Sequence, residues 1–215
     1  MTTSKTDLPF EEKGQPQVYL ITPSVIDLAT FGNTLAACLD QTKVACVRLS
    51  LASTDETLIA RTADALREVT HARDVALVME THVTMVQRLG LDGVHLTDAA
   101  RSIKAVRKEL GEDAIIGTHC YASRHNGMTA CELGADYICF GPVGDTPLGT
   151  GERAELELFE WWSQMIEVPV VAEGALDIDL IRKLSPHTDF FGLGDEVWST
   201  DDPAKTLATF AADMV

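Results

Sequence analysis

Residues 114–147 read AIIGTHCYASRHNGMTACELGADYICFGPVGDTP, and their pattern decides the fold. A short apolar run, Ala114 to Ile116, ends at Gly117. Helix-start residues follow from Ser123 to Asn126, then an amphipathic stretch to Leu133. A second apolar run, Tyr137 to Phe140, is closed by Gly141-Pro142. The order is strand, helix, strand, and a parallel strand pair needs a covering helix of about this length. The phrase recurs upstream: Gly90-Leu91-Asp92-Gly93-Val94-His95-Leu96 echoes Gly134-Ala135-Asp136-Tyr137-Ile138-Cys139-Phe140. In both copies a helix ends in Gly, an Asp follows and a buried strand begins. Gly at that point relieves the left-handed cap conformation. A recurring βα unit marks either a wound α/β fold or a (β/α)₈ barrel.

The same alternation runs along the chain. Val18 to Ile21 is a first strand stopped by Thr22-Pro23, and Ile26 to Leu39 has helical spacing. Val44 to Val47 is a second strand with Arg48 at its C-terminal end. Ser53-Thr54-Asp55-Glu56 starts a helix that runs to about Val69. Val75 to Met79 is a third strand ending at Glu80, followed by a helix over Thr84 to Leu89. Gly93 to Leu96 is the fourth strand, with Thr97-Asp98 at its edge, and Ile103 to Leu110 is the next helix. The opening stretch supplies strands five and six. A Gly-rich segment, Gly141 to Gly151, is too long for a tight turn and is a candidate active-site loop. Helix Leu156 to Ile166, strand Val168 to Ala172, helix Ile178 to Leu184, strand Phe190 to Gly194 and helix Pro203 to Met214 complete eight strand–helix units.

Composition bounds the function. The chain has 215 residues, 46% hydrophobic and 23% charged, ordinary values for one globular domain. Its formal net charge of −16 argues against nucleic acid and anionic membrane surfaces as partners, because both need basic patches. Cys38, Cys46, Cys120, Cys131 and Cys139 form no CxxC pair and lie mostly in apolar runs, which predicts reduced thiols in a cytoplasmic protein. No apolar stretch approaches the roughly 20 residues needed to span a membrane. The first residues show no hydrophobic signal core, and 1–15 are expected to be a loose tail before a barrel over 16–215.

From Val18 to nearly the end, the chain resembles the thiamine phosphate synthase and thiazole tautomerase (TenI-like) family of (β/α)₈ TIM barrels. The residues that carry the likeness are Val18-Tyr19-Leu20-Ile21-Thr22, Asp92-Gly93-Val94-His95-Leu96, Gly134-Ala135-Asp136-Tyr137 leading into Gly141-Pro142-Val143, and Pro169-Val170-Val171-Ala172 with Gly174. The resemblance implies a transferase of thiamine biosynthesis. Such synthases join a pyrimidine methyl diphosphate to a thiazole phosphate, and they hold the diphosphate with Mg²⁺, Arg and Lys. The thiazole phosphate is expected on backbone N–H groups after strands seven and eight, here Gly174, Ala175 and Gly194, with Thr146 surviving in the Gly-rich loop.

Position by position, the diphosphate clamp departs from the family. Its Arg after strand two is Arg48, but its Lys two residues on is Ser50. The Asn-Asp pair after strand three falls on Glu80 and Thr81. The acidic segment after strand four reads Thr97-Asp98-Ala99-Ala100, and the loop lysine falls on Gly149. Carboxylates appear instead at Glu173, Asp195 and Glu196. No metal is therefore expected, and Mg²⁺ only if Glu80 and Asp98 rebuild a site of different geometry.

Two candidates could carry chemistry. Arg48 ends a barrel strand, where such residues bind or catalyse; its bland alternative is a structural ion pair with Glu80. His119 also ends a strand and suits general acid–base work, its alternative being a hydrogen-bonded rim histidine. TenI-like tautomerases place a histidine two residues later, at Tyr121, and alternate strand residues share a face. Glu80, Asp98, Tyr121 and Glu173 are expected on the pocket rim. His95 reads as structural. Three functions stay open: a synthase-family protein with an altered site, a metal-free tautomerase using His119 with Arg48, and a non-catalytic binder of a small molecule such as a phosphorylated thiazole. A homo-oligomer through the Trp161-Trp162 helix is a further expectation.

Overall fold

The computed structural model describes residues 14–146 and 152–215. The expected tail over 1–15 therefore lies almost wholly outside the described residues, as does Gly149. The strands are β1 (Gln17–Ile21), β2 (Val44–Leu49), β3 (Ala76–Glu80), β4 (Gly93–Leu96), β5 (Ile115–His119), β6 (Tyr137–Phe140), β7 (Val170–Glu173) and β8 (Phe190–Leu193). Each pairs in parallel with the next, and β8 pairs with β1, closing a (β/α)₈ TIM barrel. The helices between them are α1 (Phe31–Gln41), α2 (Glu56–His71), α3 (Val83–Leu89), α4 (Ile103–Leu110), α5 (Arg124–Glu132), α6 (Leu156–Met165), α7 (Ile178–Leu184), α8 (Asp195–Trp198) and α9 (Pro203–Ala212). None is long and apolar enough to cross a membrane among the described residues.

The recurring aspartate has a structural task. Asp92 Oδ2 accepts the Leu77 N–H at 2.7 Å, Asp136 Oδ2 accepts that of Ile116 at 2.8 Å, and Asp189 Oδ2 accepts that of Val170 at 2.9 Å. The residue before each of β4, β6 and β8 thus satisfies a backbone donor near the start of the preceding strand. A buried amide left unpaired there would cost as much as a lost hydrogen bond. Gly90, at φ +62°, closes α3 in the left-handed conformation expected of it.

Two cores result from the period-two pattern of the strands. Outward residues such as Val47, Leu77, Val94, Ile116 and Phe191 pack under the helices. Inward ones, including Tyr19, Cys46, Val78, Tyr137, Cys139 and Val171, fill the barrel. Beyond shifts of one or two residues at other ends, the elements depart from the sequence expectation at three places. Gly117 lies inside β5 rather than ending it, because a Cβ there would sit 1.9 Å from Tyr137 Cζ and the ring needs that space. Helix α1 starts at Phe31, not Ile26. The Asp27 carboxylate accepts from the Ala29 N–H at 3.0 Å and the Thr30 hydroxyl at 3.1 Å, holding a turn before the helix. The four-residue α8 is too short to show a period in sequence. Of the tryptophan pair, Trp162 is buried and donates Nε1–H to the Val168 carbonyl at 2.9 Å, while Trp161 is half-buried beneath Arg124.

Candidate functional site

Inward-facing positions at the C-terminal ends of four strands bring four charged or titratable side chains together. β2 supplies Arg48, β3 Glu80, β5 His119 and β7 Glu173. Each lies two residues beyond an inward residue of the same strand: Cys46, Val78, Gly117 and Val171. That register is why they share one interior.

Arg48 is the centre. Its side chain is 8% exposed, and its NH1 lies 2.9 Å from Glu173 Oε2. Its Nε lies 3.5 Å from Glu80 Oε2 without the alignment of a hydrogen bond. Burial works against the guanidinium charge, but Glu173, helped by Tyr19 and Glu80, holds its pKa above the usual range. On the other face of Glu173, Oε1 lies 3.2 Å from His119 Nδ1. Burial alone would raise the Glu173 carboxyl. Arg48, and after it His119, more than offset that, so the carboxyl stays ionised well below the usual range.

A polar chain continues into the barrel. Arg48 NH1 lies 2.9 Å from His95 Nε2, and because arginine can only donate, that nitrogen accepts. Burial, then the Arg48 charge, keep His95 neutral well below the usual histidine range. Its proton therefore sits on Nδ1 and is donated to Tyr137 Oη at 3.0 Å. Tyr137 and Tyr19 hydroxyls meet at 2.6 Å. His95 thus props Arg48 from inside the barrel. The Tyr19–Tyr137 link is not legible in sequence beyond both residues sitting at inward positions.

The mouth opens as two clefts that share Thr146, Glu173 and Gly174. One holds His119, Tyr121, Ser123 and Asn126; the other holds Arg48, Ser50, Ala175, Gly194, Asp195 and Glu196. Tyr121 is half-exposed at φ +56°, packs edge-on against His119 at 4.8 Å, and donates its hydroxyl to the Thr97 carbonyl at 2.9 Å. It closes the wall between β4 and β5 above the imidazole. Asp98 takes another position: it lines a separate cleft with Thr81, Thr97 and Ser102, and its Oδ2 accepts the Ser102 hydroxyl.

The expected anion seat carries a feature that sequence reasoning missed. The Gly194 N–H donates to Glu196 Oε2 at 2.9 Å, and the Leu176 N–H donates to Glu196 Oε1 at 3.0 Å. The acidic residue was visible in sequence, but not that its carboxylate folds back onto the backbone donors.

The two carboxylates expected to rebuild a Mg²⁺ site are directed to different partners. Mg²⁺ wants oxygen ligands in octahedral geometry. Glu80 is turned to Arg48, and Asp98 faces its own cleft. Among the described residues, His119, Cys139 and Glu173 are the group that brings three ligand-type atoms within 4.8 Å of one another. There Glu173 already faces Arg48, and burial, then Glu173, push the Cys139 thiol well above its usual range, so it stays protonated.

Comparison with known proteins agrees with this architecture. A family model described as thiamine monophosphate synthase matches residues 18–188. Thiamine-phosphate synthase of Rhodospirillum centenum is 39% identical over 199 residues, covering 90% of this chain and 95% of that protein. The enzyme of that name from Erythrobacter litoralis is 37% identical, covering 89% and 92%. Among solved structures, thiamine phosphate pyrophosphorylase from Pyrococcus furiosus superposes with a TM-score of 0.81 at 20% identity, covering 92% of this chain and 95% of that one. A 3-hexulose-6-phosphate synthase follows at 0.69 and 12%, covering 93% and 100%, which speaks for the fold alone. With the barrel, the repeated Gly-x-Asp units and these matches together, the chain belongs to the thiamine monophosphate synthase family.

Proposed function

We propose that this chain is a thiamine-biosynthesis protein of the thiamine-phosphate-synthase type that binds a small heterocyclic precursor in its mouth, but performs metal-assisted diphosphate displacement poorly. One observation carries the reading: Arg48 is flanked by Glu173 at 2.9 Å and Glu80 at 3.5 Å. A diphosphate leaving group needs cations aimed at it as its charge develops. Here a ligand anion near Arg48 also meets two carboxylates, and a carboxylate within several ångströms of an anion costs on the order of a kcal/mol at an effective dielectric of about 20 or higher. Ser50, Glu80 and Thr81 stand where the resemblance implies lysine and the metal-holding pair, which supports the same conclusion.

The contact between His119 and Glu173 favours a second reading, tautomerase-like proton transfer. Nδ1 lies 3.2 Å from the carboxylate, and with the ring proton on that nitrogen Nε2 is left to act as base. His119 would take a proton from a carbon of the bound heterocycle and return it to another atom of the same ring, with no net change in electrons. Glu173 holds a negative charge beside the imidazolium formed in between. Arg48 keeps Glu173 ionised and in place.

The test is an assay with both family substrates and Mg²⁺, following thiamine phosphate against an authentic synthase. The expected turnover is more than about tenfold below that control, with a melting-point rise on adding the thiazole precursor. Turnover within about tenfold of the control would return the protein to ordinary synthase chemistry.

A further inference from the structure

Glu196 folds back onto the β7–β8 side of the mouth. Its two oxygens are held by backbone donors of two different loops, Leu176 after β7 and Gly194 after β8. Barrels of this kind use the loops after their seventh and eighth strands to hold phosphate. A carboxylate is itself an anion with acceptor oxygens, so it takes the Gly194 donor of the expected seat, and with Leu176 the donor next to Gly174 and Ala175. Asp195 beside it and Glu173 line the same cleft, so three carboxylates share it with the Arg48 guanidinium. That guanidinium is nine-tenths buried, and its Nε has no aligned hydrogen-bond partner. That nitrogen is closed off from the cleft and faces Glu80, so Arg48 has no free Nε–H to offer a ligand anion. The cleft holds about 660 Å³, within the roughly 300–1,000 Å³ typical of small-molecule sites, so Glu196 fills the anion seat without filling the pocket.

We infer that Glu196 is a built-in occupant of the phosphate seat, and that this cleft takes an unphosphorylated ligand, a neutral or cationic heterocycle bearing a free hydroxyl where relatives' ligands would bear a phosphate. The inference deepens the proposed function and rests on it for the identity of the heterocycle. The occupancy of the seat stands on the geometry of Glu196 alone. A phosphate ester must displace the carboxylate from the Gly194 N–H and then sit beside it. The alcohol does neither.

The experiment has two arms. In the first, inorganic phosphate is titrated calorimetrically into the wild-type protein and into Glu196→Ala. The wild type is expected to show no saturable binding at millimolar phosphate, and the variant a dissociation constant at least about tenfold lower. Equal binding by both proteins, or by neither, overturns the occupied-seat assignment. If Glu196→Ala fails to fold, Glu196→Gln decides in its place. It keeps the side-chain volume, removes the charge, and sets an N–H₂ against one backbone donor, so it too should gain phosphate affinity. In the second arm the wild type is titrated with a thiazole alcohol and with its phosphate ester. The alcohol should bind at least about tenfold tighter, and preference for the ester overturns the ligand class. Gain of phosphate binding by the variant with no binding of either thiazole upholds the role of Glu196 and removes the choice of heterocycle, which belongs to the proposed function.

Discussion

Arg48 on β2 and Glu173 on β7 meet at 2.9 Å across the interior of the barrel, from strands that are not neighbours in the sheet. The pair is deeply buried, with side chains 8% and 13% exposed, and Arg48 has further contacts with His95 and Glu80. Such a pair does more to fix a geometry than to add stability, but breaking it strands a charge.

Replacing Glu173 with Gln should therefore be costly. Removing one partner of a buried pair typically costs about 3–5 kcal/mol. Glu80 remains at 3.5 Å from Arg48, so the lower end of that range is expected. Urea denaturation of the variant should show a reduced midpoint with an unchanged slope. A loss under about 1 kcal/mol would mean that Glu80 alone compensates Arg48.

The acid limb of the stability curve should carry the mark of Glu173. Its folded pKa lies well below its unfolded value of about 4.3, so the unfolded chain binds the proton first as pH falls. The stabilisation is fully present above that value and is lost as pH drops toward the folded pKa. Urea midpoints measured from pH 6 to pH 3 should fall more steeply for the wild type than for Glu173→Gln. Parallel curves would show that the carboxyl is not held ionised.

His95 predicts a second, higher window. Buried and neutral, it binds its proton less readily in the folded chain than in the unfolded one, whose pKa is about 6.5. Stability should decline as pH falls below that point. His95→Gln should flatten the curve between about pH 6.5 and 5, at the cost of a looser Arg48. The readout is the difference between the two urea-midpoint profiles. Wild type and variant declining alike there would assign the slope to other groups.

Gly117→Ala should be among the most damaging single substitutions. The added methyl would lie 1.9 Å from Tyr137 Cζ and 2.2 Å from Cε1, a contact the ring can relieve only by leaving the Tyr19–Tyr137–His95 chain. Overpacking of this kind costs about 1–3 kcal/mol, and the broken hydrogen bonds add to it. Thermal denaturation of the variant should show a clear drop in Tm. A drop of under about 4 °C would mean that the ring moves freely.

Thr81 offers a change in the opposite direction. It holds φ +64°, a region that disfavours a β-branched residue, and it is exposed. Thr81→Asn should raise stability by about 0.5–1 kcal/mol, because Asn enters the left-handed region more readily. A lower Tm for the variant would show that the Thr81 side chain makes a contact worth more than the strain.

The barrel was legible because its signals are local. Gly90-Leu91-Asp92 and Gly134-Ala135-Asp136 announce a helix end and a strand start within three residues, and strands alternate with helices of covering length. Strand ends were legible too, so Arg48, Glu80 and His119 could be named as residues of the mouth. What residue order could not supply was distance across the barrel. That Arg48 faces Glu173 rather than Glu80 alone, that Asp98 turns to Ser102, and that Glu196 folds onto Gly194 and Leu176 depend on strand stagger and on the path of loops. The β5 boundary failed for the same reason. Gly117 looks like a strand terminator by local propensity, yet it lies within the strand because Tyr137, twenty residues on in the chain, needs the space above its Cα. Local sequence sets the period and the caps. Which charge meets which is settled only when eight strands close and their inward faces share one interior.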